Sequence, residues 1–192
     1  KIFIINLDRR KDRWIKLEKR LNKYNITNFE RFSAIDGELC KNKIHEKHNI
    51  FVQMINNSLN YKVNPLMVGE VGLILSTIEV LKVAIKRNYK RILLLDDDVL
   101  FHKDITNQFI KCSNKLPSWK LLYLGSTYCN TKHIPVKDNI GVIPKTIERF
   151  WGTFAYGIDC SIFKEYILLL MKSITPLDYF PIHTLIKKYG DS

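Results

Sequence analysis

Three consecutive aspartates directly follow an apolar run in the stretch "RILLLDDDVLF", residues 91–101. Carboxylate oxygens are hard ligands that suit Mg²⁺ or Mn²⁺. At the end of a buried strand, Asp96 and Asp98 can converge on one ion while Asp97 points elsewhere. Such an ion typically neutralises phosphates, which fits a reaction with a diphosphate leaving group. The alternative interpretation is a solvated acidic turn.

A second polar cluster lies in "INLDRRKDRW", residues 5–14. Asn6, Arg9 and Arg13 are placed at a predicted strand-to-helix junction, and Arg9 and Arg13 have the spacing of one helical face. We expect Asp8 to cap the helix. Arginines beside a helix N-terminus favour a phosphate site, although the same charges also suit a helix face that only contacts water. The chain contains neither GxGxxG nor GxxxxGK[ST], so neither the dinucleotide fingerprint nor the P-loop accounts for phosphate binding.

Alternating strand and helix patterns predict the elements that position these clusters. Strands are predicted for "KIFIIN", "FERFSAI", "RILLL", "KLLYLG" and "FWGTFAYGI". Helices are predicted over residues 7–24, 70–86, 105–116, 161–173 and 178–189, with a short one near 51–55. This order predicts an α/β fold with a mostly parallel central sheet flanked by helices. In such sheets ligands bind at the carboxyl ends of the strands, where both clusters lie.

Composition bounds the class of protein. The chain has 192 residues, of which 46% are hydrophobic and 26% charged, so we expect one compact domain over residues 1–192. It lacks an uninterrupted apolar run of about 18 residues, so no membrane span is predicted. It begins at Lys1 and not at Met, and we expect it to be a fragment of a longer protein. Its four cysteines form no CxxC pair, which disfavours a zinc knuckle.

Seven segments together resemble glycosyltransferase family 25, which includes bacterial lipooligosaccharide galactosyltransferases and collagen hydroxylysine glycosyltransferases. In chain order they are "IFIINLDRRKDR", "RFSAIDG", "VGEVGLILST", "ILLLDDDVLF", "LLYLGS", "GTFAYGI" and "PLDYF". The resemblance implies a GT-A fold of the Rossmann-like kind, a UDP-sugar donor, and Mn²⁺ or Mg²⁺ held by the D-x-D. Bacterial members commonly carry Ser-His where this chain has Ser76–Thr77, and Glu-Asp-Asp where it has Asp96–Asp98. The second difference preserves the carboxylate.

The resemblance also implies roles for individual residues. One group of nucleotide-sugar contacts lies after the first two strands and comprises Asn6, Leu7, Arg9, Ala34 and Asp36. The other lies on the acidic motif and comprises Asp96 and Asp97. The metal ligands would be Asp96 and Asp98. The chemistry of Arg9 and Asp36 also favours these contacts, whereas Ala34 is simply small.

The reaction implied by the resemblance is an inverting displacement, in which a carboxylate removes the proton of the acceptor hydroxyl. We expect that base to be Asp178 in "TPLDYF"; the alternative is that Asp178 only caps a helix after Pro176. His183 could complete the metal shell, although a lone His is more often an ordinary surface or core residue. Trp151, Phe154 and Tyr156 could form an aromatic shelf for a sugar or could pack in the core.

Two other functions compete with a glycosyltransferase. The "LLLDDDVLF" run also resembles the first motif of haloacid-dehalogenase phosphatases, but that motif wants Thr or Val where this chain has Leu100. The net charge of +12 would suit a nucleic-acid-binding module, but no such motif is present, and we expect no nucleic-acid partner. The predicted reaction moves galactose or glucose from a UDP-hexose to a collagen-like hydroxylysine or to an oligosaccharide. The sequence distinguishes neither the two sugars nor a cytoplasmic from an endoplasmic-reticulum location.

Overall fold

A computed structural model describes residues 1–39, 66–113, 115–116, 118–129, 136–137, 140–147 and 150–190 of the chain. The predicted helix near residues 51–55 lies outside them. The helices are α1 (Lys11–Lys23), α2 (Val68–Lys86), α3 (Ile105–Ser113), α4 (Phe163–Lys172) and α5 (Phe180–Tyr189). A 3₁₀ turn, Cys160–Ile162, leads into α4. None of the described helices is long and apolar enough to cross a membrane.

The central sheet has five strands, in the spatial order β2 (Phe29–Ser33), β1 (Ile2–Asn6), β3 (Arg91–Asp96), β9 (Ala155–Asp159) and β4 (Leu121–Tyr123). The strands β1, β2 and β3 are mutually parallel, whereas β9 runs antiparallel to both of its neighbours, β3 and β4. The α/β class is therefore confirmed, and the sheet is mixed. Two small ribbons pair β5 (Tyr128–Cys129) with β8 (Phe150–Trp151) and β6 (Val136–Lys137) with β7 (Ile140–Gly141).

The predicted strand "FWGTFAYGI" is two strands in two different sheets. It is interrupted at Gly152, whose φ of +107° lies in the region that favours glycine. A Cβ at Gly152 would meet the Thr127 amide nitrogen at 2.7 Å, so the chain bends here in close contact with the neighbouring loop. The bend releases Phe150–Trp151 to the ribbon and directs the following residues into the central sheet.

Side chains that alternate along the strands build a core on each face of the sheet. Phe3 and Leu94 belong to the larger core, which includes buried residues of α2, α4 and α5. Ile4 and Leu95 belong to the smaller core, together with Leu17 of α1. Because α2 is buried through most of its turns, it anchors one face, as its near-continuous apolar sequence predicts.

Strand direction places the ends of β1, β2 and β3 together. Asn6 is in register with Ser33, and Ile5 is in register with Asp96. The edge formed by these strand ends carries the polar clusters singled out in the sequence, and we call it the carboxyl edge.

Candidate active site

The acidic motif begins at the last residue of β3. Asp96 closes the strand, and its amide donates to the carbonyl oxygen of Phe154 at 2.9 Å. Asp97 is 8% exposed, whereas the side chain of Asp98 is 60% exposed. The three carboxylates therefore have different environments despite being consecutive.

Asp97 points back into the protein. One of its oxygens accepts from the Asn6 side-chain amide at 2.7 Å, and the other accepts from Arg13 at 2.9 Å. The Asn6 side chain also accepts from the Nε of Arg31 at 2.8 Å. Since Asn6 is 1% exposed, this network satisfies a buried polar side chain and ties β1, β2, β3 and α1 together. Both Asn6 and Asp97 were predicted to contact the nucleotide; here they fix the position of the motif.

The loop after β1 also differs in detail from its prediction. Asp8 does not cap α1, because its carboxylate accepts from Arg31 at 2.7 Å and from the Ser33 hydroxyl at 2.6 Å. The helix begins at Lys11, so Arg9 precedes it and does not share a helical face with Arg13. Arg31 was missed in the sequence, where its only signal was a charged residue within a strand.

Arg9 and Asp36, which were both predicted at the nucleotide, form an ion pair with 2.6 Å between Nε and Oδ2. The side chain of Arg9 is 59% exposed and that of Asp36 is 16% exposed. Asp36 also accepts from the Glu38 amide at 3.1 Å. The ion pair holds the guanidinium of Arg9 against the loop that follows β2.

Backbone contacts hold the loop that carries Ala34 and Asp36. The Ala34 amide donates to the Asn6 carbonyl at 3.0 Å, and the Ile35 amide donates to the Ser76 hydroxyl at 2.8 Å. A Cβ at Gly72 would lie 2.7 Å from the Ile35 carbonyl oxygen, so only glycine fits there. A Cβ at Gly69, by contrast, would have no neighbour within 4 Å.

Leu7 and Glu70 stabilise the starts of two helices through local hydrogen bonds. The Leu7 carbonyl accepts from the Arg10 amide at 2.9 Å, which closes the turn before α1. Glu70 accepts from the Met67 amide at 2.7 Å and so stabilises the start of α2.

Asp178 contacts the segment that leads into β9. Its carboxylate accepts from the Gly152 amide at 3.2 Å, and Gly152 lies only two residues before Phe154, which accepts from Asp96. The helix α5 starts at Phe180 with Tyr179 as its N-cap and no side-chain cap, so the helix-cap interpretation of Asp178 is wrong. The segment from Gly152 to Phe154 thus links the predicted base to the acidic motif.

His183 lies on α5, and its Nε2 is 3.3 Å from the Phe150 carbonyl oxygen. Within the described ranges, no group of three or more His, Cys, Asp or Glu side chains is arranged to hold a metal ion. Asp96 and Asp98 are two oxygen donors, and Mg²⁺ commonly binds one or two carboxylates and completes its shell with water and substrate phosphates. The donor set therefore fits an ion that arrives with a diphosphate. His183 as a third ligand stays a prediction.

A cluster of three tyrosines, of which Tyr156 and Tyr166 are buried and Tyr123 is partly buried, lies behind the segment 150–154. Tyr123 and Tyr156 stack with 5.9 Å between ring centroids, and the Tyr156 hydroxyl is 3.2 Å from that of Tyr166. Tyr156 is 2% exposed and packs in the core, whereas Trp151 is 45% exposed. Phe154 is partly buried against the smaller core. Of the predicted aromatic shelf, only Trp151 is therefore well exposed.

Comparison with known proteins identifies the family. The model of glycosyltransferase family 25, described as an LPS biosynthesis protein, matches residues 1–181. The chain belongs to glycosyltransferase family 25. Procollagen galactosyltransferase 2 of mouse is 28% identical over 160 residues, covering 81% of this chain and 24% of that protein. A glycosyltransferase 25 family member of Anopheles gambiae is 24% identical over 187 residues, covering 94% of this chain and 31% of the relative.

One relative is named as inactive. The human inactive glycosyltransferase 25 family member 3 is 25% identical over 162 residues, covering 82% of this chain and 27% of that protein. This family 25 chain thus spans about a quarter of the length of these relatives. Family membership favours a sugar transferase over the phosphatase and nucleic-acid-binding alternatives.

Burial, together with the neighbouring Asp98 and Asp97 carboxylates, raises the pKa of Asp96 to about 7. A carboxyl with a raised pKa in the folded state makes folding less favourable as pH rises from its unfolded value of 3.8 to about 7. We therefore expect Asp96→Asn to raise the free energy of unfolding of the metal-free protein by about 1–3 kcal/mol at pH 8. At pH 4 we expect the same substitution to change the free energy of unfolding little. Thermal melts in EDTA across this range test it; equal shifts at both pH values would contradict it.

Proposed function

We propose that this chain carries the GT-A catalytic domain of a metal-dependent, inverting hexosyltransferase. It would move galactose or glucose from a UDP-sugar to a hydroxyl of either a collagen-like hydroxylysine or a glycan. The observation that carries the proposal is that the segment 152–154 bonds to the Asp178 carboxylate through the Gly152 amide and to the Asp96 amide through the Phe154 carbonyl, which connects the predicted base to the start of the acidic motif. An inverting displacement needs a Lewis acid that stabilises the leaving group on one side of the anomeric carbon. It needs a base that removes the proton of the acceptor hydroxyl on the other side.

The names of the relatives support both acceptor classes. Procollagen galactosyltransferase 2 is named for galactose and procollagen, and the family is described by LPS biosynthesis. The basic charge of +12 suits anionic ligands, including a nucleotide diphosphate and an anionic glycan.

In the proposed mechanism, Asp96 and Asp98 would hold Mn²⁺ or Mg²⁺. When bound, the ion supplies the positive charge that stabilises the leaving diphosphate. Arg9, held by Asp36, would contact the nucleotide phosphates or ribose. Ala34 would lie beside the uracil ring of the nucleotide. Asp178 would accept the proton of the attacking hydroxyl at a carboxylate oxygen.

A donor and acceptor screen tests the function. We would measure UDP release from UDP-galactose and UDP-glucose with Mn²⁺ and with EDTA, adding a hydroxylysine-containing collagen-like peptide or a panel of disaccharides. Metal-dependent UDP release that rises with one acceptor class supports the proposal. Anomeric proton NMR of the product then reports inversion. No UDP binding and no UDP release under any condition would contradict it.

Arg9→Ala is expected to weaken UDP binding by about 10- to 100-fold, because a charge-assisted hydrogen bond contributes roughly 1.5–3 kcal/mol. Folding should change little, since the side chain of Arg9 is 59% exposed. Calorimetry with UDP and Mn²⁺ measures the effect. Arg87→Ala is the matched control, because Arg87 pairs with Glu30 near the opposite end of β2 at 2.7 Å. Unchanged UDP affinity in Arg9→Ala would assign Arg9 to the solvated surface.

A further inference from the structure

Arg13 bridges two of the three aspartates. Its Nη1 atom is 2.9 Å from Asp97 Oδ1 and 3.1 Å from Asp98 Oδ2. Arg13 belongs to α1, so this contact joins the helix that follows β1 to the end of β3. The side chain of Arg13 is 39% exposed, and it can therefore change its contacts without unpacking a core.

The two partners of Arg13 are held differently. Asp97 is buried, and its second oxygen is occupied by Asn6 at 2.7 Å. Asp98 is 60% exposed and lies at the surface of the motif. The bond to Asp97 is thus the fixed attachment of Arg13, and the bond to Asp98 is the one that can be released at low cost.

In this arrangement the guanidinium provides the positive charge beside Asp98 that a divalent cation would otherwise provide. A guanidinium and a divalent cation repel each other at a shared carboxylate, so both cannot keep their best geometry there. Once displaced from Asp98, Arg13 remains tethered to Asp97 and has unused N–H donors at the carboxyl edge. Arginine donors match phosphate oxygens well.

We propose that Arg13 is a positioning residue that occupies Asp98 in the ligand-free protein, yields it to the divalent cation, and then contacts the donor diphosphate. The inference rests on the proposed function for the identity of the cation and the donor. It assigns to one side chain two opposite effects: Arg13 weakens binding of the cation alone and strengthens binding of the nucleotide diphosphate.

A purely structural role makes a different prediction. If Arg13 only braced α1 against β3, its removal would loosen the motif and weaken both cation and nucleotide binding. The sign of the change in cation affinity therefore separates the two roles, and it can be measured without enzyme turnover.

The experiment compares Arg13→Gln with the wild-type chain. Electron paramagnetic resonance measures binding of free Mn²⁺ in the absence of nucleotide, and calorimetry measures UDP binding at saturating Mn²⁺. We expect Mn²⁺ to bind about 3- to 5-fold more tightly to Arg13→Gln, the size of a lost exposed ion pair. We expect UDP to bind about 10-fold or more weakly, the size of a lost charge-assisted hydrogen bond.

Arg10→Gln is the matched control, because it removes the same charge at the residue directly before the same helix. Arg10 pairs with Asp12 at 2.8 Å, whereas Asp97 and Asp98 act on it only through longer-range electrostatics. We expect less than about a two-fold change in either affinity, because only the long-range part of the charge effect is lost. Arg13→Lys retains the charge, and we expect it to change the Mn²⁺ and UDP affinities in the same directions as Arg13→Gln but by smaller factors. It replaces Arg13→Gln in the test if that variant is unstable.

Unchanged or weaker Mn²⁺ binding by both Arg13 variants would overturn the inference. Changes in Mn²⁺ and UDP affinity of the same size in Arg10→Gln would also overturn it, since the loss of any nearby positive charge would then account for the result. Unchanged UDP affinity in the Arg13 variants would show that Arg13 does not contact the donor diphosphate. A wild-type chain that binds neither Mn²⁺ nor UDP would instead contradict the proposed function, so the two failures are distinguishable.

Discussion

Asp98→Ala is expected to lower hexose transfer by at least about 10³-fold, because metal stabilisation of the leaving diphosphate is worth several kcal/mol. Asp98 is the exposed carboxylate of the motif, with its side chain 60% exposed, and its removal leaves the buried Asn6–Asp97 bond in place. The fold should therefore survive. Transfer rate, thermal melt and Mn²⁺ binding, measured on the same preparation, test the prediction.

Two comparisons sharpen the Asp98 result. Asp104→Ala serves as the control, since Asp104 accepts from Asn107 at 2.7 Å just before α3 and has no part in the motif. EDTA treatment of the wild-type chain should reproduce the loss seen in Asp98→Ala. Normal turnover by Asp98→Ala, or a wild-type rate that EDTA leaves unchanged, would mean that transfer does not depend on this metal site.

Local sequence patterns predicted most of the elements because short-range periodicity and apolar runs govern them. The run before Asp96 is a central strand, and the apolar residues from Val71 to Ile85 form a largely buried helix. The acidic motif could be placed at the carboxyl edge because parallel strands share their direction. The position of β9 could not be inferred, since its antiparallel pairing depends on where a long intervening segment returns the chain.

The contacts within the site were harder to predict because they join residues far apart in sequence. Asn6 and Asp97 are 91 positions apart, and Arg13 and Asp97 are 84 apart. A residue type indicates that a buried Asn needs a partner, but it does not indicate which one. The apolar context of Asn6, directly after "IFII", was the signal that it would be buried and would need a fixed polar neighbour.

Tyr123 illustrates a site feature that no motif identified. Among the described residues, its hydroxyl is the buried side-chain polar atom without a hydrogen-bond partner. Burial, then Tyr156 and Asp178, raises the pKa of the Tyr123 hydroxyl. The sequence "LLYLGS" matched the family without revealing that this ring packs behind the segment that Asp178 holds.

Asp178→Asn is expected to lower transfer by about 10²-fold or more while leaving UDP affinity unchanged, because general-base catalysis typically contributes 10²–10⁴-fold. The structure makes this substitution informative. Asp178 accepts one hydrogen bond, from the Gly152 amide at 3.2 Å, and the Asn side-chain oxygen can accept the same bond. The backbone of the segment 150–154 should therefore keep its position while the capacity to accept a proton is lost.

Asp178→Ala provides the structural comparison. It removes both the proton acceptor and the bond to Gly152, whose φ of +107° depends on its surroundings. We expect Ala to destabilise the fold by about 1–2 kcal/mol and to reduce transfer at least as much as Asn does. If Asn retained near-wild-type transfer and only Ala lost it, Asp178 would be a support for the Gly152 bend, and the base would have to be sought elsewhere at the carboxyl edge. A low transfer rate in both variants, with a normal melt only for Asn, assigns the proton transfer to Asp178 itself, because the one property that Asn lacks is a basic carboxylate.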